Sequence, residues 1–474
     1  MPDRRKRYQE VADIIRNWIA SGSIRPGERL RSIREMARQT GYSIVTVNHA
    51  YALLEAEGAI TARPRSGYFV ADTAPGMGEF PAPSPSHAPA EGSDLSGRLE
   101  DWLAAQHVSV RRIIRAHLPM PTRGLVPLLM KAHRNEVLDE DRAPDPGGMP
   151  RLREAVAARN ILRGVRTRPE HVVIAPNAMA AMSTCIDTIC KPGSKVLVEV
   201  PGYFPALPVL YRRGITTIEL PSHPRTGLDV AAFEQVLKTT QVDACLLMPN
   251  CHYPTGVTYS EEVQARIVAI ATKYGVPIIE NDIFGELGHD AAPVPSLRRF
   301  DAQDLVMQFG SFGPTLGATY GVGWIVNPRF RQEMIVSRLF YEERAGSVPI
   351  QAAVADFVLG PGYDRLLRRY RETLGHNVRR GIVELAQVLP HSAAVSRPDG
   401  GHTCWIRCPP GCDAIAIARA VGEQGPLLVP GQVFSASQEL GNFFSLDLSA
   451  AGSDEFSRLL PYLASAIEQN TGAG

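Results

Sequence analysis

The chain has 474 residues, 44% of them hydrophobic and 21% charged, and a formal net charge of +1. That length exceeds one ordinary core and predicts two or three structural units, while the composition fits a soluble globular protein. No apolar run approaches the roughly 18 residues of a membrane span, and the basic start leads into no hydrophobic signal core, so a membrane location is excluded and a cytoplasmic one expected. Seven cysteines, an odd number in a large chain, argue against a disulfide framework. Cys404, Cys408 and Cys412 are evenly spaced, but no close pair accompanies them and Cys404 to Cys408 reads as a strand, so no metal site is expected.

In chain order, Val11, Ile14, Ile15, Trp18 and Ile19 have the spacing of a helix over residues 8 to 20 with one buried face. Ser32 with Glu35 three residues on marks the start of a short second helix, which Gly41 breaks. Ser43 opens a third helix that runs through Glu57, with Val47, Ala50, Tyr51 and Leu54 inward. A hairpin follows, pairing residues 59–63 with 66–70. Basic residues outnumber acidic ones over these first 70 positions, so a basic end sits on a near-neutral body and suggests nucleic-acid contact.

From 72 to 97 the composition shifts to Pro, Ala, Gly and Ser, with Pro75, Pro81, Pro83, Pro85 and Pro89. The stretch reads as a proline-stiffened linker, able to reach about 30 Å or more. The expected division is therefore a head at 1–72, a linker at 73–97 and a body at 98–474. In the body, short apolar runs at 171–174, 195–198, 244–248 and 276–279 alternate with helical stretches such as 260–274. That rhythm predicts an α/β unit with a mostly parallel sheet.

Three helices and a basic hairpin make the layout of a winged helix-turn-helix. Pro26-Gly27-Glu28-Arg29-Leu30-Arg31-Ser32-Ile33-Arg34-Glu35-Met36-Ala37, with Leu53 to Gly58 and Arg63 to Val70, resembles the GntR family closely. The resemblance implies double-stranded DNA as partner. Arg34, Arg63 and Arg65 are placed for phosphates or guanine edges, and Ser43, Thr46, Asn48 and His49 for base edges. Gly67 lets the wing backbone approach a groove.

The body resembles the fold-type-I aminotransferases through Gly147 to Val156, Pro254-Thr255-Gly256, Ile279 to Asp282, Pro398 to Gly401 and Val429 to Phe434. Fusion of such a body to a GntR head marks the MocR subfamily of regulators. The resemblance implies a site for pyridoxal phosphate, but most of its residues are replaced here. Pro314 stands at the Schiff-base lysine position, and no lysine follows Lys273. Gly321 stands at the phosphate-binding arginine, Asn281 at the aspartate that faces the pyridine nitrogen, and Phe284 at the tyrosine that reaches the ring oxygen. Asn177-Ala178-Met179 replaces the usual phosphate loop, Gly313 a serine, and Ser445 aligns with the substrate-binding arginine; Ser311 remains. Tyr203 either stacks on a bound ring or packs at a strand end, and Asn250 and His252 either touch a ligand or satisfy loop backbone.

The expected protein is thus a sequence-specific DNA-binding transcriptional regulator and not an enzyme, with no cofactor. Its body is expected to form a homodimer, the long linker letting one head lie over the other body, and to sense an unidentified small molecule. An aminotransferase-type enzyme and a ligand-free interaction scaffold stay open as alternatives.

Overall fold

The computed structural model describes residues 7–20, 24, 28–56, 59–63, 67–70, 80, 89–90, 118, 122–137, 145–290, 294–340, 345–421, 428–435 and 440–471. The head consists of α1 (Arg7–Ala20), α2 (Ile33–Thr40), α3 (Ile44–Ala56), β1 (Ile60–Arg63) and β2 (Gly67–Val70). Ser32 and Glu35 form a reciprocal capping box at the start of α2. Gly41 ends that helix at φ 75°, a left-handed value that a residue without a Cβ adopts at little cost. Val11, Ile15, Met36, Val47, Tyr51 and Leu54 then meet in one buried core. The hairpin pairs Ile60 with Val70 and Arg63 with Gly67. Residues 28–30 lie along its outer strand, Leu30 N–H donating to Tyr68 and Val70 N–H to Glu28.

In the body, strands run in the order β3 (Pro89–Ala90), β6 (Thr216–His223), β5 (Lys195–Val200), β8 (Ala244–Leu247), β9 (Ile278–Asn281), β10 (Val306–Ser311), β11 (Gly323–Val326) and β4 (Val172–Ala175), with β7 (Gly227–Leu228) paired to β6. The five strands from β6 to β10 are parallel, and β11, β4 and β3 join antiparallel. Continuous apolar runs suit such strands because both faces are covered. Alternation divides them: Leu197, Cys245, Leu247 and Ile278 face one core, while Val196, Val198, Leu246 and Ile279 face the other. A second, antiparallel sheet has the order β12 (Ala394–Val395), β13 (Thr403–Arg407), β15 (Phe443–Asp447), β14 (Leu428–Pro430).

One expectation changes. Within the stretch read as linker, Pro89–Ala90 pair with Ile218 and Thr217 at the edge of the large sheet. An edge strand leaves backbone groups unpaired, and a proline-containing segment can serve there because its missing N–H is no loss on the outer side. Phe80 also packs, partly buried, against the main core. The rest of that stretch lies outside the described residues.

Two turns read from sequence join the sheets. Gly256 accepts from Asp399 N–H at 2.8 Å, Thr258 N–H donates to the Asp399 carboxylate at 2.8 Å, and the Ser396 hydroxyl donates to Thr255 at 2.8 Å. Gly256 has φ 74°, and a Cβ there would stand 2.7 Å from Pro398 Cα. Gly256→Ala should therefore cost about 2–4 kcal/mol, through left-handed strain plus overpacking, read as a lowered urea midpoint.

Candidate functional site

On the head, Arg34 and Arg38 are exposed along α2, and Arg31 is exposed just before it. Ser43 serves α3 as its cap: its hydroxyl accepts from Thr46 N–H at 3.1 Å and lies 2.8 Å from the Thr46 hydroxyl. Asn48 and His49 are exposed, the His49 ring edge-on to Tyr8 at 6.2 Å. The wing turns through Gly67 at φ 98°, where the Arg29 guanidinium lies 3.4 Å from the position of a would-be Cβ. Arg29, which the sequence reading passed over, therefore shares the wing surface. Its signal was its place inside the Pro26 to Ala37 signature. Arg63 contributes backbone to β1, and Arg65 lies outside the described residues.

In the body, the loop after β10 is tied to itself. The Ser311 hydroxyl donates towards the Gly321 and Val322 carbonyls at 3.1 and 3.2 Å and accepts from Gly313 N–H at 3.0 Å. Pro314 sits in the first turn of the short helix Gly313–Leu316, where a missing N–H is tolerated. Gly321 is buried, and a Cβ there would lie 2.9 Å from Gly313 Cα and 3.2 Å from the Gly317 carbonyl. The two backbone passes touch there. Thr315 then bonds the Tyr363 hydroxyl at 3.2 Å, and Tyr363 donates to Glu286 at 2.7 Å.

Across this crevice the lining is aromatic. Tyr253 meets Tyr203, Phe204, Phe284 and Phe434 at ring separations of 5.8 to 6.4 Å. Tyr203 itself is buried, its hydroxyl 3.9 Å from the Met179 sulfur, in the manner of a packed side chain. Tyr253 escaped the sequence reading although it directly precedes the Pro254-Thr255-Gly256 turn. Its hydroxyl lies against that of Ser445, and both residues are buried. Asn281 accepts from Ile283 N–H at 3.2 Å, and its side-chain nitrogen is buried and unpartnered. Asn177 caps the helix Ala178–Ile189 through Ala180 N–H.

The structure gives Asn250 and His252 occupations other than ligand contact. Asn250 is fully buried; its amide donates to Pro295 O at 2.6 Å and to Asp282 at 3.3 Å and accepts from Gln264 at 3.1 Å. Asp282 is the hub of that network, taking both terminal nitrogens of Arg163 and the Gln308 amide. Both charges are buried. Burial alone would lower the Arg163 pKa, but Asp282 more than offsets this and raises it. His252 is also inside, its Nδ1 bonded to the Thr255 hydroxyl at 2.9 Å, and burial lowers its pKa to about 3. Its Nε2 lies 3.8 Å from Glu199, too far for a hydrogen bond. Glu199 accepts from Met248 N–H and the Tyr259 hydroxyl, and burial pushes its pKa up to about 8.

Two cavities among the described residues are small. One, lined by Tyr203, Glu199, Leu207, Met248 and Asn281, and another, lined by Arg159, Arg163, Asp282, Ser311, Thr315 and Trp324, each have about 20 Å³. That is room for about one water.

The same two parts emerge from comparison with known proteins. Residues 7–70 match the family "Bacterial regulatory proteins, gntR family", and residues 123–456 match "Aminotransferase class I and II". The chain thus belongs to the helix-turn-helix transcriptional regulators in which a GntR head is fused to a class I and II aminotransferase domain. It is 30% identical to the uncharacterized HTH-type transcriptional regulator YdcR of Escherichia coli (strain K12), covering 98% of this chain and 99% of YdcR. The HTH-type transcriptional regulator TauR of Rhodobacter capsulatus is 26% identical over 93% of this chain and 92% of its own. The probable rhizopine catabolism regulatory protein MocR of Rhizobium meliloti is 25% identical over 88% and 85%. In fold, the body is similar to a Pyrococcus horikoshii kynurenine aminotransferase, at TM-score 0.72 and 21% identity over 79% of this chain and 95% of that one.

The Asp282 hub sets one expectation. Asp282→Ala leaves Arg163 buried without its counter-charge and should lower stability by about 3–5 kcal/mol. Combining it with Arg163→Met should recover part of that loss in a double-mutant cycle measured by chemical unfolding.

Glu199 sets another. A folded pKa of about 8, above the ordinary 4.5, means that the protonated acid is favoured in the folded state. Its stabilising contribution is full below the unfolded value and is lost as pH rises through the folded one. Thermal melts should show Glu199→Gln gaining on the wild type between about pH 4.5 and pH 8.

Proposed function

We propose that this regulator reads duplex DNA through its head, while its body dimerises and responds to a small molecule other than pyridoxal phosphate. The observation that carries the second half is the contact between Gly313 and Gly321, which leaves no room for a Cβ at position 321. A phosphate dianion would find neither an arginine there nor the Ser311 hydroxyl, which is spent on backbone carbonyls. Pro314 offers no amine for a covalent bond, and the Asn281 amide cannot stabilise a protonated ring nitrogen as a carboxylate does. The residues present do not fit the cofactor. We read the fold as kept for shape and assembly, with its catalytic chemistry lost.

Aromatic packing around Tyr253 and cavities of about 20 Å³ mean that an effector must displace side chains to enter. The buried, unpartnered Asn281 nitrogen gives such a molecule a hydrogen-bond donor to find. A symmetric body would present two heads to a pair of half-sites.

Two measurements test this reading. Arg34→Ala, at an exposed position on α2, should weaken duplex binding uniformly across sequences and reduce the salt slope by about one. Full-length protein mixed with pyridoxal phosphate and reduced with borohydride should carry no lysine adduct in the body by mass spectrometry. An adduct mapped to this crevice would overturn the cofactor-free reading. Gly321→Arg should fail to restore binding, since its Cβ must first push the Gly313 backbone aside.

A further inference from the structure

Ile44 and Val45 occupy the first turn of α3 and are 55% and 65% exposed. They are unusual in that setting. The opposite face of the same helix, Val47, Ala50, Tyr51 and Leu54, is fully buried in the head core, so the outward direction of Ile44 and Val45 is set by packing. Neither side chain is needed to complete that core. Helical spacing puts Asn48 four residues beyond Ile44 and three beyond Val45, on the same outward face, and Asn48 is exposed too. Arg34 and Arg38 of the preceding helix, and Arg31 before it, are exposed and make the head surface basic.

We infer that Ile44 and Val45 are specificity-determining residues that read thymine C5-methyl groups in the major groove. The inference rests on the DNA-binding reading and deepens it. Each base pair shows a distinct edge in that groove, and thymine alone adds a methyl group, which an apolar side chain recognises by burial. A branched aliphatic pair beside one amide suits a site with thymine next to adenine, the amide of Asn48 taking the adenine edge. The exposed guanidinium groups of Arg34 and Arg38 match the phosphates that flank the groove, a complementarity that an apolar protein surface would not supply. Ser43 and Thr46, bonded to each other, hold the turn rather than supply the reading groups.

The test uses the full-length protein. A duplex is enriched from a random-sequence pool and then resynthesised with deoxyuridine in place of each thymine in turn, which deletes the methyl and keeps the pairing. Wild type should lose about fourfold in affinity for each contacted methyl removed. Ile44→Ser with Val45→Ser should bind the thymine and uracil duplexes equally well, with folding checked by its thermal melt. Indifference of the wild type to every substitution would overturn the inference while leaving DNA binding intact. Discrimination that survives unchanged in the double variant would overturn it too, as would a change of oligomeric state in that variant without any thymine preference, which would make the face a contact between copies of this chain. Failure to enrich any duplex would sink the DNA-binding reading itself, and this inference with it.

Discussion

The body is organised around a buried ion pair. Arg163 and Asp282 lie 119 residues apart in the chain, and both are removed from water. Two such charges are costly to desolvate, and the cost is offset only where geometry and further hydrogen bonds satisfy every remaining site. Here the offset comes from Val294 O on the Arg163 Nε and from Asn250 and Gln308 on Asp282. That requirement pins the end of β9, the middle of β10, the loop before the Pro254-Thr255-Gly256 turn and the helix Glu261–Tyr274 to one another. Gly285 lets the pair close, because a Cβ there would meet the Asp282 carboxyl carbon at 2.7 Å.

Against that fixed layer, the loop after β10 is closed onto itself. Gly313 and Gly321 touch, Ser311 bonds across the loop, and Thr315 is drawn to Tyr363 and thence to Glu286 and Arg159. The energetic logic is consistent: unpartnered buried polar groups are expensive, so a loop that satisfies its own carbonyls is favoured over an open polar cradle. Aromatic side chains fill the facing wall. Beside that wall the Asn281 side-chain nitrogen is buried without a partner.

Much of this was legible in the amino-acid order. The capping box at Ser32 and Glu35, the left-handed stop at Gly41 and the hairpin from residue 60 follow from contacts within a few residues, which is the range over which sequence patterns speak directly. The parallel strands were visible as apolar runs because both of their faces are covered. Substitutions at Pro314, Gly321, Asn281 and Phe284 were visible because side-chain chemistry is written in the residue type. Asn250 and His252 illustrate the limit: a polar residue in a loop beside a crevice has the same sequence signature whether it turns outward to a ligand or inward to Asp282 and Thr255. Tyr253 was passed over for the complementary reason, an aromatic residue beside a turn motif carrying no mark of the four rings it would meet.

What the sequence by itself determined is the modular order, a helical basic head before an α/β body, and the residue types, Pro314, Gly321, Asn281 and Phe284, that stand where the resemblance places a cofactor site. Local propensity, turn chemistry and functional-group identity are properties of short segments. Tertiary structure alone decided that Pro89–Ala90 extend the large sheet, that Asp282 serves Arg163 rather than a ligand, and that Gly321 has no room for a side chain. Each of those depends on a partner supplied by a distant part of the chain, and the free energy of desolvation and close packing that selects such partners exists only once the chain has brought them together.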